Sequence, residues 1–219
     1  MASATSRRRV RPELSRTHIV AAARVRLEGG QPLSVRLLAA DLGSSSMALY
    51  YYIKSVADLE QALVDEWLSG CRLPAADLPL EEWVVALALD YRHRALAQPG
   101  VFELVLKRPV VSVEALAPID ALFAAVLRAG FEPPRAAALG QLLMEYITGS
   151  TVYAIATRGR RRAAQDLEPE DVPGWEQVFG ELPHLVALSD HLLALQEDEE
   201  SRFVAGVRSL LRSAPELLT

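Results

Sequence analysis

An all-α fold is what this sequence predicts, with an N-terminal three-helix unit containing a helix-turn-helix and a larger helical domain behind it. Three observations carry that expectation. Apolar residues recur every three or four positions and not every second one, and no Asn-Gly or Asp-Gly pair offers a hairpin turn. Helix-starting serines and helix-ending glycines punctuate the first part of the chain at short intervals. Charge is also unevenly divided: residues 1–60 hold nine Lys or Arg against five Asp or Glu, a balance of +4, whereas residues 61–219 hold fourteen against twenty-three, a balance of −9. A small basic module on an acidic body suits local phosphate binding, which the overall charge of −5 would otherwise argue against.

The first helix should start with Ser15 as its N-cap, carry Ile19, Ala22, Ala23 and Leu27 on one face, and stop at Gly29-Gly30, with Pro32 preventing immediate resumption. A short second helix begins at Ser34 and turns Leu38, Ala39 and Leu42 inward before Gly43, a residue suited to a left-handed turn. The third helix, Ser45 to Ile53, places Leu49, Ile53 and Tyr50 on its buried side and leaves Ser45, Ser46, Ala48, Tyr51 and Tyr52 outward. Two short helices joined at a glycine outline a helix-turn-helix. Ser55, with Asp58 three residues on, opens a fourth helix that continues through Leu59, Ala62, Leu63 and Trp67 to about Gly70.

The polar, proline-bearing stretch Arg72 to Pro79 sets the expected domain boundary: residues 1–70 with a basic N-terminal arm, then residues 71–219. Amphipathic helices are expected over Leu80–Gln98, Val101–Lys107, Val113–Ala129, Pro134–Thr157 and Asp198–Ser213, with a weaker one around Gly174–Leu195. The run Arg158, Arg160, Arg161 and Arg162, followed by the acidic stretch Asp166 to Asp171, lacks an apolar period and is expected to be a mobile loop.

Composition narrows the class further. With 51% hydrophobic and 23% charged residues the chain is globular, and at 219 residues it can bury a core without staples. Cys71 is the sole cysteine, so no intrachain disulfide forms, and the expected compartment is the cytoplasm. No uncharged apolar run reaches the roughly 18 residues of a membrane span. No Gly-x-Ser-x-Gly, phosphate-cradling Gly-x-x-x-x-Gly-Lys or His-Glu-x-x-His occurs, so no enzyme activity is expected. His18, His93, His184 and His191 fit no zinc spacing, and neither metal nor cofactor is expected.

The stretch from Leu38 through Asp41-Leu42-Gly43-Ser44-Ser45-Ser46-Met47-Ala48-Leu49-Tyr50-Tyr51-Tyr52-Ile53-Lys54-Ser55, with Leu59 and Leu63, resembles the DNA-binding domain of the TetR regulators. Farther on, Trp83, Lys107-Arg108-Pro109, Ala129-Gly130-Phe131, Gly149 and Phe203-Gly206-Leu210-Leu211 resemble, in order, the ligand-binding domain of the tetracycline-repressor branch. The resemblance implies that Ser45, Ser46, Ala48, Tyr51 and Tyr52 face the major groove, and that Arg36 and Lys54 contact operator or phosphate. Serine hydroxyls and an alanine methyl suit base edges, and tyrosine hydroxyls suit phosphate oxygens. Arg7, Arg8, Arg9 and Arg11 would add phosphate or minor-groove contacts.

For the second domain, Trp83, Tyr91, Phe102, Phe123, Tyr146, Tyr153, Trp175 and Phe179 are the candidates for an apolar ligand pocket, although ordinary core packing accounts equally well for about half of them. The positions matching the tetracycline-branch histidines are Arg72 and Leu104, so magnesium-tetracycline is a poor candidate effector. The resulting expectation is a ligand-responsive transcriptional regulator, acting as a repressor and homodimer on double-stranded operator DNA and released by a small-molecule effector. The rival is a helical small-molecule carrier without operator binding, suggested by Val56 where the family often has a phosphate-binding Lys. Dimerisation is expected through the helices around Pro134–Thr157 and Asp198–Ser213, with Leu143, Ile147, Val207, Leu210 and Leu211 supplying apolar area.

Overall fold

A computed structural model describes residues 14–165 and 182–217. Among them are ten helices and no strand: α1 (Arg16–Glu28), α2 (Val35–Asp41), α3 (Ser46–Tyr50), α4 (Val56–Ser69), α5 (Leu80–Ala97), α6 (Pro99–Lys107), α7 (Val113–Arg128), α8 (Pro133–Gln165), α9 (Pro183–Glu197) and α10 (Glu199–Leu217). Contacts divide the chain into two compact units. The first comprises the chain up to Glu66 together with Gly100–Pro109, and the second comprises Trp67–Pro99 and everything from Val110 onward. The division therefore falls inside α4, a few residues before the expected boundary at residue 70. It also assigns most of α6 to the first unit and not to the domain in which the sequence places it.

In the first unit each early helix starts on a serine. The Ser15 hydroxyl accepts from His18 N–H at 3.2 Å, Ser34 from Leu37 N–H at 3.3 Å, Ser45 from Ala48 N–H at 3.2 Å and Ser55 from Asp58 N–H at 3.1 Å. Each bond satisfies a donor that the helix itself leaves free. The turn between α2 and α3 runs through Gly43 at φ +59°, a conformation a side chain would oppose. Ile19, Ala23, Leu38, Leu49, Ile53, Leu59 and Leu63 are buried in this unit.

Polar ties then fix the helices against one another. Arg16 donates to both carboxylate oxygens of Asp58, at 2.9 and 3.1 Å, and to Tyr52 C=O at 2.9 Å. Asp58 also accepts from Lys54 N–H at 2.9 Å, so one carboxylate joins the starts of α1 and α4 across the end of the α3 turn. Helix α6 is held at both ends: the Glu28 carboxylate accepts from Gly100 and Val101 N–H at 3.2 and 3.0 Å, Arg108 pairs with Glu60, and Gln61 donates to Pro109 C=O at 3.2 Å.

The second unit is built around α5, which packs on α7, α8 and α10. Its core joins Trp83, Val84, Leu87 and Ala88 of α5 to Leu122 and Val126 of α7, Leu139, Leu143 and Ile147 of α8, and Phe203, Val207 and Leu211 of α10. The expected interface residues Leu143, Ile147, Val207 and Leu211 are thus spent inside one chain. Gly140 lies under the Phe123 ring. The expected loop at Arg158 is a further correction, because α8 continues without a break to Gln165. Arginine, alanine and glutamine are strong helix formers that outnumber the one unfavourable Gly159 in 158–165, and no proline interrupts it, so a weak apolar period does not stop the helix.

Trp67, Gly70, Cys71 and Arg94 meet at the end of α4 within this second unit. Arg94 donates to Trp67 C=O at 2.5 Å and lies 5.3 Å from the centre of its ring. Burial pushes the Cys71 thiol up to about 11.

Candidate functional site

In the first unit, α3 is anchored through Leu49 and the following Ile53, which are 0% and 1% exposed. With those two side chains inward, Arg36, Ser45, Tyr51 and Lys54 are exposed, while Ser46, Ala48 and Tyr52 are half-buried. Tyr51 is 85% exposed and packs edge-on against Tyr52 at 5.1 Å. Tyr50 departs from the expectation: it is 54% exposed and not buried beside Leu49. One turn of helix can turn only part of its circumference inward, and Leu49 and Ile53 fill that arc. Met47, at 83% exposed, joins the outward side and was not expected there. The basic arm before residue 14 lies outside the described residues.

In the second unit, a cavity of about 280 Å³ lies among α5, α8, α9 and α10. Helix α8 contributes Tyr146, Ser150, Tyr153, Ala154 and Thr157; α10 contributes Glu199, Arg202 and Phe203; α9 contributes Leu192 and Leu195; and α5 contributes Arg92. The rings of Tyr146 and Phe203 are nearly parallel, 15° apart with centres at 6.0 Å. The Tyr146 hydroxyl donates to Phe203 C=O at 3.3 Å and occupies the space that a side chain at residue 206 would need, so Gly206 is what permits this approach.

Arg92 is the principal charged group of this wall. It is only 2% exposed, donates to Ser150 C=O at 3.2 Å, pairs with Glu199 and lies 4.6 Å from the centre of the Phe203 ring. Burial lowers its pKa from the ordinary guanidinium value, and Glu199 opposes that shift. Arg158 approaches the same Glu199 carboxylate at 3.5 Å.

The aromatic residues singled out in the sequence do not form one cluster. Tyr146 and Tyr153 line the cavity. Trp83 is 3% exposed in the apolar core and borders a separate hollow with Leu80, Ala125 and Arg128. Tyr91 packs edge-on against Trp67 at 5.2 Å, and its hydroxyl lies 3.5 Å from Thr148. Phe123 covers Gly140, and Phe102 is 1% exposed on α6 in the first unit. A 3.6-residue period shows that an aromatic faces inward but not which core receives it. Trp175 and Phe179 lie outside the described residues.

Arg92, Glu199 and Arg202 were not anticipated. Arg92 carried a readable signal, since it continues the buried stripe Val84, Ala88, Arg92 and Ala95 of α5, where a charge is unusual. Among the described residues no helix is long and apolar enough to cross a membrane, and no group of three or more His, Cys, Asp or Glu is placed to hold a metal.

Residues 74–212 match the family described as tetracyclin repressor-like, C-terminal domain. An HTH-type transcriptional regulator of Saccharopolyspora erythraea is 30% identical over 147 residues, 65% of this chain and 61% of that protein. The chain thus spans about three-fifths of that relative's length. The crystal structure of ActR from Streptomyces coelicolor in complex with actinorhodin is similar with a TM-score of 0.72 and 21% identity, over 93% of this chain and 96% of that one. The crystal structure of TetR from Acinetobacter baumannii is similar with a TM-score of 0.71 and 21% identity, over 94% and 99%. At those identities the likeness speaks to the fold. With the family match covering more than half the chain, and with the helix-turn-helix and helical second unit in place, the chain belongs to the TetR family of transcriptional regulators.

Proposed function

We propose that the protein is a ligand-responsive repressor that binds a palindromic operator as a homodimer and is released by a small-molecule effector. The observation that carries this reading is the outward side of α3. Leu49 and Ile53 hold the helix down, while Ser45, Tyr51 and Lys54, with Arg36 of α2, stay exposed beside half-buried Ser46, Ala48 and Tyr52. Hydroxyls near the helix start suit base edges, and the cations and tyrosines suit phosphates. With no Asn or Gln among these residues, sequence-dependent DNA shape carries part of the specificity.

Effector binding is assigned to the cavity holding Tyr146 and Tyr153, supported by its aromatic and aliphatic walls. The solved relative crystallised with actinorhodin supports a small organic effector in this fold. The chain path favours two elements as carriers of the signal. Helix α4 starts in one unit and finishes in the other, and α6 is tied to the first unit while the chain on either side of it belongs to the second. An effector acts by its differential affinity for DNA-competent and incompetent forms, so a ligand that binds both equally tightly releases nothing.

Operator reading requires two recognition helices roughly 34 to 36 Å apart. Homodimerisation is supported by apolar surface left open on α8 at Val152 and along α9 at Leu185, Val186 and Leu188. DNA flanking the protein's own gene provides the test, measured by fluorescence anisotropy across a salt series. Wild type should bind with a steep salt dependence, and Arg36→Ala and Tyr52→Ala should each weaken binding by about tenfold. Undiminished affinity in both variants, with folding intact, would remove the reading helix from the interface. Complete absence of salt-dependent binding would favour the carrier reading.

A further inference from the structure

We propose that the effector is a flat aromatic acid, its rings lying against Tyr146 and Phe203 and its anionic group held by Arg202 and Arg92. The inference rests on the effector reading above and gives it a chemical class.

Charge and shape both lead to this class. The walls carry two guanidiniums, Arg92 and Arg202, against one carboxylate, Glu199. That carboxylate is already shared, since Arg92 pairs with it and Arg158 approaches it at 3.5 Å. Two arginines thus share this one carboxylate, and with Arg202 on the same wall the cavity-lining side chains carry more guanidinium than carboxylate. A buried guanidinium is costly without sufficient counter-charge, and its forked donors match a carboxylate. Arg92 is the buried member, at 2% exposed, and its position over the Phe203 ring makes that wall both aromatic and cationic. Arg202, exposed in the first turn of α10, donates through one guanidinium nitrogen to Leu195 C=O, and its remaining donors can meet an incoming acid.

The apolar part sets the shape. Tyr146 and Phe203 stack as nearly parallel rings in one aromatic wall, and Leu192, Leu195 and Ala154 line the rest of the cavity. At about 280 Å³ the space lies near the lower end of small-molecule sites, enough for two or three fused rings and one acid group. A cationic or neutral compound would leave the arginines without any added partner.

The test is direct binding of 2-anthroate, followed by its own fluorescence, against neutral 2-anthramide, cationic 2-(aminomethyl)anthracene and the aliphatic acid decanoate. The full-length protein is used without DNA, so the result is independent of operator binding. The acid should bind at least tenfold more tightly than the amide, and the cation should not bind. Arg202→Gln should weaken anthroate by about tenfold, the loss of a charge-assisted bond. Glu199→Gln should instead strengthen it several-fold, because the internal competitor for Arg92 and Arg158 is removed. A purely structural role for these residues would not give opposite signs, and circular dichroism of each variant checks folding. Equal binding of acid and amide, no binding of the acid, or unchanged affinity in both variants would overturn the proposal. Decanoate binding as tightly as anthroate would overturn its aromatic part. Operator binding that fails while anthroate behaves as expected would instead overturn the repressor reading alone.

Discussion

The two units are held together by different means. In the first, short helices are fixed by bonds that begin and end on named polar atoms: four serine caps, the Arg16–Asp58 clamp and the Glu28 carboxylate on α6. In the second, long helices close on a continuous apolar core, and the buried charge gathers on the cavity wall at Arg92. Directional bonds specify one geometry, which suits a surface that must match a DNA groove. Apolar packing tolerates rearrangement at constant volume, which suits a unit that must change state when a ligand enters.

The largest effect belongs to the apolar core: Val207→Asp with Leu211→Asp buries two uncompensated carboxylates and should abolish folding of the second unit, not merely separate a dimer. Loss of near-native helicity by circular dichroism is the expected result, and a folded monomer in sedimentation would place these residues at an interface after all. Next comes Leu49→Ala, at 0% exposure the central anchor of α3, which should cost about 2 to 5 kcal/mol in urea unfolding and weaken operator binding by loosening the reading helix. Ser45→Ala should cost about 1 kcal/mol, the usual worth of an N-cap, and Ser45→Gly much less. A larger loss of DNA affinity than of stability would sharpen the comparison by giving Ser45 a contact role besides its cap.

The smallest effect concerns acid. Arg16, bonded to both Asp58 oxygens, holds that carboxyl below its ordinary 3.8 despite partial burial pushing the other way. A depressed folded value means that the pair stabilises the protein above the unfolded value and that its contribution disappears as pH falls through the folded one. Both partners are partly exposed, so the contribution should not exceed about 1 kcal/mol. The urea midpoint of wild type should approach that of Asp58→Asn as pH is lowered below about 4, and parallel curves would remove the clamp from the account.

The same contrast explains what could be read in advance. Ser15, Ser34, Ser45 and Ser55 act on donors three residues away, so the starts of the early helices are legible from spacing alone, whereas the outward side of α3 is legible only in part, since Tyr50 turns out rather than in. Helix α6 was legible as a helix but not as a member of the first unit, because its ties run from Glu28 to Gly100 and from Glu60 to Arg108 across long stretches of chain. The extent of α8 is not legible from pattern, because the arginine run lacks an apolar period while helix propensity carries the backbone on to Gln165. Met47 was overlooked because an apolar residue on a short helix is ordinarily counted inward. The cavity required Arg92 and Glu199 to meet over a separation of 107 residues, which no periodicity reveals.

The thiol at the end of α4 has a practical consequence. Burial pushes the Cys71 thiol up to about 11 and leaves it 8% exposed, so at pH 7 it is protonated and shielded from reagents. In the closed protein it is therefore a silent label site. Its alkylation proceeds only when the end of the helix opens, so the reaction rate under excess reagent becomes a clock for that opening. Because Cys71 is the sole cysteine of the 219 residues, the unaltered protein can be timed with and without effector, and any change in the rate reads the opening of the C-terminal end of α4.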